Sequence, residues 1–279
     1  MRHVLFLAQS HPEVVDNWGY HIRPIHYYEP IPDFSTITSE QLERRREFRS
    51  IDFRWDEQLQ LLRDLARYRD EFEDIENGFF NGFDAAVYYS LIRHLKPNRV
   101  IEIGSGYSTR FAHKALTRNA GNGTLTCIEP NPDRLNGNRS NIELIQQRVE
   151  EIDVDFFSRL EANDILFIDS SHTVKFGSDV CYEFLDVLPV LQPGVWVHVH
   201  DIFFPHDYPA EWILKRRLAL NEQYLLEAFL SFNDSFAPQL ANHWLSLEHS
   251  DAVARLWTKH LQASPADTKA SSFWMKRVK

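Results

Sequence analysis

The chain has 279 residues, a formal net charge of −10 and two cysteines, Cys127 and Cys181. Its 43% hydrophobic and 25% charged residues are the balance of a soluble globular protein with a full core. The acidic excess, with Arg44, Arg45 and Arg46 flanked by Glu43 and Glu47, leaves no positive footprint and excludes nucleic acid as a partner. Two cysteines without CxxC spacing exclude a disulfide framework or cysteine zinc site and point to a reducing compartment.

The N-terminal apolar run is too short for a secretory signal, and it lacks a small-residue cleavage site. No stretch approaches the ~20 apolar residues of a membrane span. The expectation is a cytoplasmic protein without a membrane partner. Residues 1–40 are rich in Pro, His and aromatics, and "HIRPIHYYEPIPDF" (His21–Phe34) reads as extended chain, because residues before proline leave the helical region. From Glu40 to Glu76, Phe48, Ile51, Trp55, Leu59, Leu62, Leu65 and Tyr68 recur at threes and fours, a helical period. Residues 1–78 are therefore set apart as an N-terminal helical appendage, a lid or a dimer surface, and 79–279 as the main domain.

After "NGFFNGFD" a helix over Ala85–Leu95 stops before Pro97. Apolar runs then follow at Arg99–Ile103, Thr124–Ile128, Ile142–Gln146, Ile165–Asp169 and Val195–His200, with helical patterns at Ser108–Leu116 and Gly177–Leu188 between them. Strand, helix, strand at this spacing predicts an α/β, doubly wound, mostly parallel sheet. Ligands of such sheets sit beyond the carboxyl ends of the strands.

The first strand ends "EIGSGYST". Gly104 and Gly106 permit a tight turn, and the following helix offers free N–H groups. Thr109 stands where a nicotinamide fingerprint has its third glycine. Glu102, just before the turn, repels a pyrophosphate but suits an ammonium. The competing reading is a helix-capping turn with Ser108 or Thr109 as the cap. The second strand ends "CIEPNP", placing Glu129 about 25 residues past the glycines, where an acid can hold ribose hydroxyls. Alone, it reads as a surface acid in a Pro-rich turn; paired with the first strand's turn, it reads as the ribose acid.

These segments, with "ILFIDSSH", "PGVWVHVHDIFFP" and "SSFWMKR", resemble the class I S-adenosylmethionine-dependent methyltransferases, nearest to the methyltransferase domain 24 group of bacterial small-molecule O-methyltransferases. The resemblance covers residues 79–279; residues 1–78 carry no motif that matches. It implies a Rossmann-like fold of seven strands, the last antiparallel, supplied by "SSFWMKRV", with the sixth around Phe236–Leu240. It places Glu102 at the methionine amino end of the cofactor, Gly104, Ser105 and Gly106 around it, Glu129 on the ribose, and Val149 and Glu150 along the adenine.

The resemblance also bears on the fourth and fifth strand ends. Metal-dependent members place acidic or amide ligands there and a basic side chain three positions after the first acid. Asp169, His200 and Asp201 match the ligand places, and His172 the base. His200 stands where an acid is usual, which tilts the expectation from Mg²⁺ towards Mn²⁺ or Fe²⁺. A divalent ion lowers the pKa of the attacking hydroxyl, and His172, with Asp169 beside it, is the catalytic candidate. The alternative is a metal-free hydrogen-bonded network with His172 as the base. His198, one pleat deeper, reads as a core residue. Asp84 reads as a helix cap.

The expected function is methyl transfer from S-adenosylmethionine to an oxygen of a small molecule. A nicotinamide-dependent oxidoreductase and a non-catalytic cofactor-binding module are the alternatives. A homo-oligomer is left open.

Overall fold

In the computed structural model, residues 6, 8, 10–75, 77–119, 123–134, 142–257 and 270–279 are described. The apolar start of the chain, residues 1–5, lies outside them. The chain divides into two units: Arg45–Asp207 with Leu220–Lys279, and Met1–Arg44 with Tyr208–Ala219.

The larger unit is built on a seven-stranded sheet in the order β3-β2-β1-β4-β5-β7-β6. Its strands are β1 (Arg99–Ile103), β2 (Thr124–Ile128), β3 (Ile142–Ile145), β4 (Ile165–Ile168), β5 (Trp196–Val199), β6 (Phe236–Ala241) and β7 (Phe273–Arg277). Strands β1 to β5 pair in parallel, and β7 runs antiparallel between β5 and β6. This is the Rossmann-like, seven-stranded topology that the resemblance implied, with β7 antiparallel. The strands read as near-continuous apolar runs because the sheet is covered on both faces. Successive residues of β1 enter different cores: Ile101 and Ile103 one, Val100 the other.

Helices α1 (Trp55–Leu65), α2 (Gly82–Leu95), α3 (Tyr107–Arg118) and α7 (Ser250–Leu256) contribute to the core shared with Val100. Helices α4 (Asp179–Tyr182) and α5 (Glu222–Ser231) lie with the other core, and α6 (Asn242–Glu248) follows β6. The helix α2 stops at Lys96, whose φ of +50° ends it one residue before Pro97.

Two helical expectations are corrected. Residues 40–76 do not form one helical stretch. Ser39–Glu43 is a short helix, and α1 begins only at Trp55, after Arg54 at φ +54°. The intervening Ile51 and Phe53 are buried as non-helical chain, so their spacing reports core contact rather than a helix face. Residues 45–78 belong to the larger unit. The helix expected from Gly177 begins at Asp179, where the Ser178 side chain accepts from the Cys181 N–H. It widens to a π-helical turn over Glu183–Val187. Pro189 explains the widening, since its ring lacks an N–H and crowds the carbonyl four residues earlier.

The smaller unit holds a helix at Pro12–Asp16, a turn at Phe34–Thr36 capped by Asp33, and the helix Ser39–Glu43. That helix is closed by a reciprocal Thr38–Gln41 capping box. The Arg217 guanidinium lies 5.1 Å over the Phe34 ring.

Candidate active site

A cleft of about 350 Å³ opens at the carboxyl ends of β1, β2 and β4. Gly104, Glu129, Val149, Glu150 and Asp169 line it, together with Arg148, Ser170, Ser171, Lys175 and Asp179. Gly104 is required by geometry. Its φ is +90°, and a Cβ there would sit 2.3 Å from the Asp169 carbonyl oxygen. The ends of β1 and β4 therefore approach as closely as they do only with glycine at this position. Ser105 Oγ, in the same turn, is buried with no hydrogen-bond partner among the described residues. Glu129 accepts from the Asn131 N–H at 2.7 Å through Oε1, and no bond to Oε2 is seen among the described residues. A glycine cradle, an orphaned hydroxyl and an acid at the next strand end fit a nucleoside cofactor.

Glu102 has a different place from the one expected. It is fully buried and does not line the cleft. Its carboxylate accepts from Tyr88 Oη at 2.8 Å and from Thr109 Oγ1 at 2.6 Å. Thr109 Oγ1 in turn accepts from the Gly106 N–H at 3.0 Å. Glu102 thus supports the glycine turn from beneath, through Thr109. The physical reason is strand parity: Glu102 shares a face with Val100, the face under α2 and α3. Burial raises its pKa from 4.5 to about 7, against the hydrogen bonds from Thr109 and Tyr88.

The ends of β4 and β5 bring Asp169, His172, His200 and Asp201 together, as the sequence suggested. The arrangement centres on His172. Its Nδ1 lies 2.8 Å from Glu222 Oε2, and its Nε2 lies 3.4 Å from both Asp169 Oδ1 and Asp201 Oδ2. Burial opposes charge on the ring, but the three carboxylates prevail and raise its pKa well above 6.5. Burial likewise opposes charge on Asp169, yet the neighbouring His200 and the hydrogen-bonding His172 hold it well below the usual carboxylate range. His200 Nε2 lies 3.6 Å from Asp201 Oδ1, and Ser271 Oγ donates to the same oxygen at 3.1 Å.

Both His172 and Asp201 hold left-handed backbone, each at φ +56°. Such strain in non-glycine residues costs of order 1–3 kcal/mol each and clusters at functional sites. The His172 carbonyl accepts from the Asn221 and Glu222 N–H groups at 3.1 and 3.3 Å, at the start of α5. The Val174 N–H donates to Asn221 Oδ1 at 2.5 Å. Helix α5 thereby fixes the loop that presents the ring.

Asp169, His200 and Asp201 reach one strand edge, yet among the described residues no three His, Cys, Asp or Glu side chains are arranged to hold a metal ion. The His172 Nε2 lies 3.4 Å from a carboxylate oxygen of each aspartate, and His200 Nε2 lies 3.6 Å from Asp201 Oδ1.

Sequence reasoning missed Glu222 and gave Asp84 a different role. Glu222, fully buried at the start of α5, backs His172 but sits beside no motif. Asp84 is not a cap. It accepts from Asn242 Nδ2 at 2.8 Å and from the Ser271 N–H at 2.7 Å, bracing the segment that touches Asp201. Burial raises its pKa despite these bonds. His198 is the core residue expected, stacked 3.8 Å from Phe167 and bonded to Ser272 Oγ at 2.8 Å. Its pKa is pushed well down by burial and by His200.

Known proteins share parts of this chain. A family model described as a methyltransferase domain matches residues 101–202, the span from β1 to just past Asp201. An uncharacterised protein of Archaeoglobus fulgidus is 34% identical over 165 residues, 51% of this chain and 75% of that protein. Among solved structures, the O-methyltransferase TomG of Streptomyces achromogenes, in complex with S-adenosylmethionine, is 16% identical. It covers 80% of this chain and 90% of its own, with a TM-score of 0.46. An O-methyltransferase of Bacillus cereus, in complex with S-adenosylhomocysteine, is 12% identical over 80% of this chain and 90% of its own, with a TM-score of 0.44.

Proposed function

Since the chain belongs to the methyltransferase-domain family and is an S-adenosylmethionine-dependent methyltransferase, we propose that its acceptor is a hydroxyl of a small molecule, delivered to the Asp169 end of the cleft. The observation that carries this reading is Asp169 itself. It lines the cleft beside Gly104, and its side chain is 36% exposed, whereas His172, Asp201 and Glu222 are more deeply set.

S-adenosylmethionine, when bound, supplies a methyl group on a positively charged sulfur. Gly104 and Ser105 would wrap its amino-acid end, Glu129 would hold the ribose hydroxyls, and Val149 and Glu150 would lie along the base. Gly106 shapes the turn through its bond to Thr109. The cleft lining by Gly104, Glu129, Val149 and Glu150 supports this reading. As the carbon–oxygen bond forms and the carbon–sulfur bond breaks, the hydroxyl becomes strongly acidic and must lose its proton. Asp169 accepts that proton. His172 was the expected base, but a ring held among three carboxylates keeps both its protons at neutral pH and serves as a fixed positive charge. It keeps Asp169 ionised and favours negative charge on the attacking oxygen.

The test is turnover with methyl-labelled S-adenosylmethionine and a panel of phenolic, sugar and aliphatic hydroxyl compounds. The reading predicts labelled ether product with at least one hydroxyl class and loss of turnover in Asp169→Asn. Labelling confined to nitrogen or sulfur acceptors would refute it.

A further inference from the structure

The turn "NGFF" before α2 holds one aromatic ring in the core and a second one out of it. Asn77 Oδ1 accepts from the Phe79 and Phe80 N–H groups at 2.9 and 2.8 Å, and its Nδ2 donates to the Ile75 and Phe80 carbonyls at 2.7 Å each. Gly78 supplies the left-handed backbone of the turn, at φ +73°. Phe80 is buried, with its ring 5.3 Å from that of His200. Phe79 remains 62% exposed. Its ring lies 5.6 Å from that of Tyr107 with the planes 9° apart, and the Arg110 guanidinium stands 4.9 Å from the Tyr107 centroid. Leaving an apolar ring mostly in water forgoes the gain of burying it, so a turn that fixes it there points to a ligand that covers it.

The place of the turn selects that ligand. Phe80 reaches the end of β5 through His200, and Tyr107 opens α3 directly after the Gly104–Gly106 turn at the end of β1. Strand β4, which ends just before Asp169, lies between β1 and β5. Glu129, Val149 and Glu150, assigned above to the cofactor's nucleoside, lie on the other side of β1, at the ends of β2 and β3. We propose that Phe79, backed by Tyr107, is the stacking platform for the methyl acceptor, and that the acceptor carries its hydroxyl on an aromatic ring. Parallel, offset rings accept a further flat ring. A sugar would also need hydrogen bonds, and the Asn77 amide is committed at both ends to the turn itself.

This inference rests on the hydroxyl-transfer reading for the atom methylated, but ring recognition is measured without turnover. Labelling confined to nitrogen or sulfur acceptors would leave phenol binding standing, and loss of the phenol preference would leave hydroxyl transfer standing. The experiment saturates full-length protein with S-adenosylhomocysteine and measures dissociation constants for phenol, cyclohexanol and methyl glucoside by NMR titration. The wild type should bind phenol most tightly. Phe79→Leu keeps an apolar side chain without the flat ring and should weaken phenol on the order of tenfold, with S-adenosylhomocysteine affinity unchanged. Phe79→Tyr should bind phenol as the wild type does. Phe232→Ala, which removes a ring 91% exposed beyond the end of α5, should change nothing. Phenol binding no tighter than that of cyclohexanol or methyl glucoside, or undetectable at millimolar concentration, would overturn the proposal. So would unchanged phenol binding in Phe79→Leu, phenol weakened equally in Phe232→Ala, or a folded Phe79→Tyr no better than Phe79→Leu. Weakened S-adenosylhomocysteine binding in Phe79→Leu would also overturn it, by making the ring part of the cofactor site.

Discussion

Glu102→Gln isolates the energetic consequence of burying a carboxylate under the glycine turn. Glu102 is fully buried, and its pKa rises from 4.5 to about 7. At ~1.4 kcal/mol for each pH unit, that difference amounts to about 3 kcal/mol, with no discount for solvent exposure. A group whose pKa is raised in the folded state stabilises it fully below the unfolded value and loses that contribution as pH climbs through the folded value. Wild-type stability should therefore fall between about pH 5 and pH 8, by roughly 2–3 kcal/mol from this residue. The glutamine has the same shape, can still accept from Tyr88, and does not ionise. Urea unfolding followed by circular dichroism at several pH values should show a flatter profile for Glu102→Gln, with the variant gaining most on the wild type at about pH 8. Parallel profiles for the two proteins would refute the argument that burial dominates at Glu102.

Other residues give sharper local tests. Gly104→Ala places a Cβ 2.3 Å from the Asp169 carbonyl in left-handed backbone, so it should lower the melting temperature and abolish S-adenosylhomocysteine binding together; a stable variant with normal binding would contradict the close approach of β1 and β4. Glu129→Ala should leave urea unfolding unchanged but weaken cofactor binding by equilibrium dialysis, by roughly 1.5–3 kcal/mol for a charge-assisted hydrogen bond, or about 10- to 100-fold. Asp84→Ala leaves the Ser271 and Ser272 N–H groups and the Asn242 amide without their acceptor, and should cost about 3 kcal/mol in urea unfolding; a change near zero would show that water replaces the carboxylate.

The sheet was legible because β1, β2, β4 and β5 bury both faces and so interrupt the polar background with short apolar runs. All five parallel strands start within one residue of their expected positions, and the two C-terminal strands lie where the resemblance put them. The region before the sheet was less legible. Phe48 and Ile51 lie in irregular chain packed on the core, and their three-residue spacing mimics a helix face. At the site, Asp169, His172, His200 and Asp201 were readable from two adjacent strand ends. Glu222 was not, because its contact with His172 spans 50 residues of sequence and exists only once α5 docks against the loop. The direction of Glu102 was available from strand parity with Val100, a signal that the likeness to an ammonium-binding acid obscured. That the His172 ring comes within 3.4 Å of both aspartates depends on the backbone turn at His172, which no residue type announces.

The most direct test of the account is calorimetric titration of the wild-type protein with S-adenosylhomocysteine. The cleft lined by Gly104, Glu129, Val149 and Asp169 predicts one saturable site per chain, with affinity between about 1 μM and 1 mM. A folded protein that gives no heat with this compound, and is not protected by it against thermal unfolding, would contradict the assignment of the cleft.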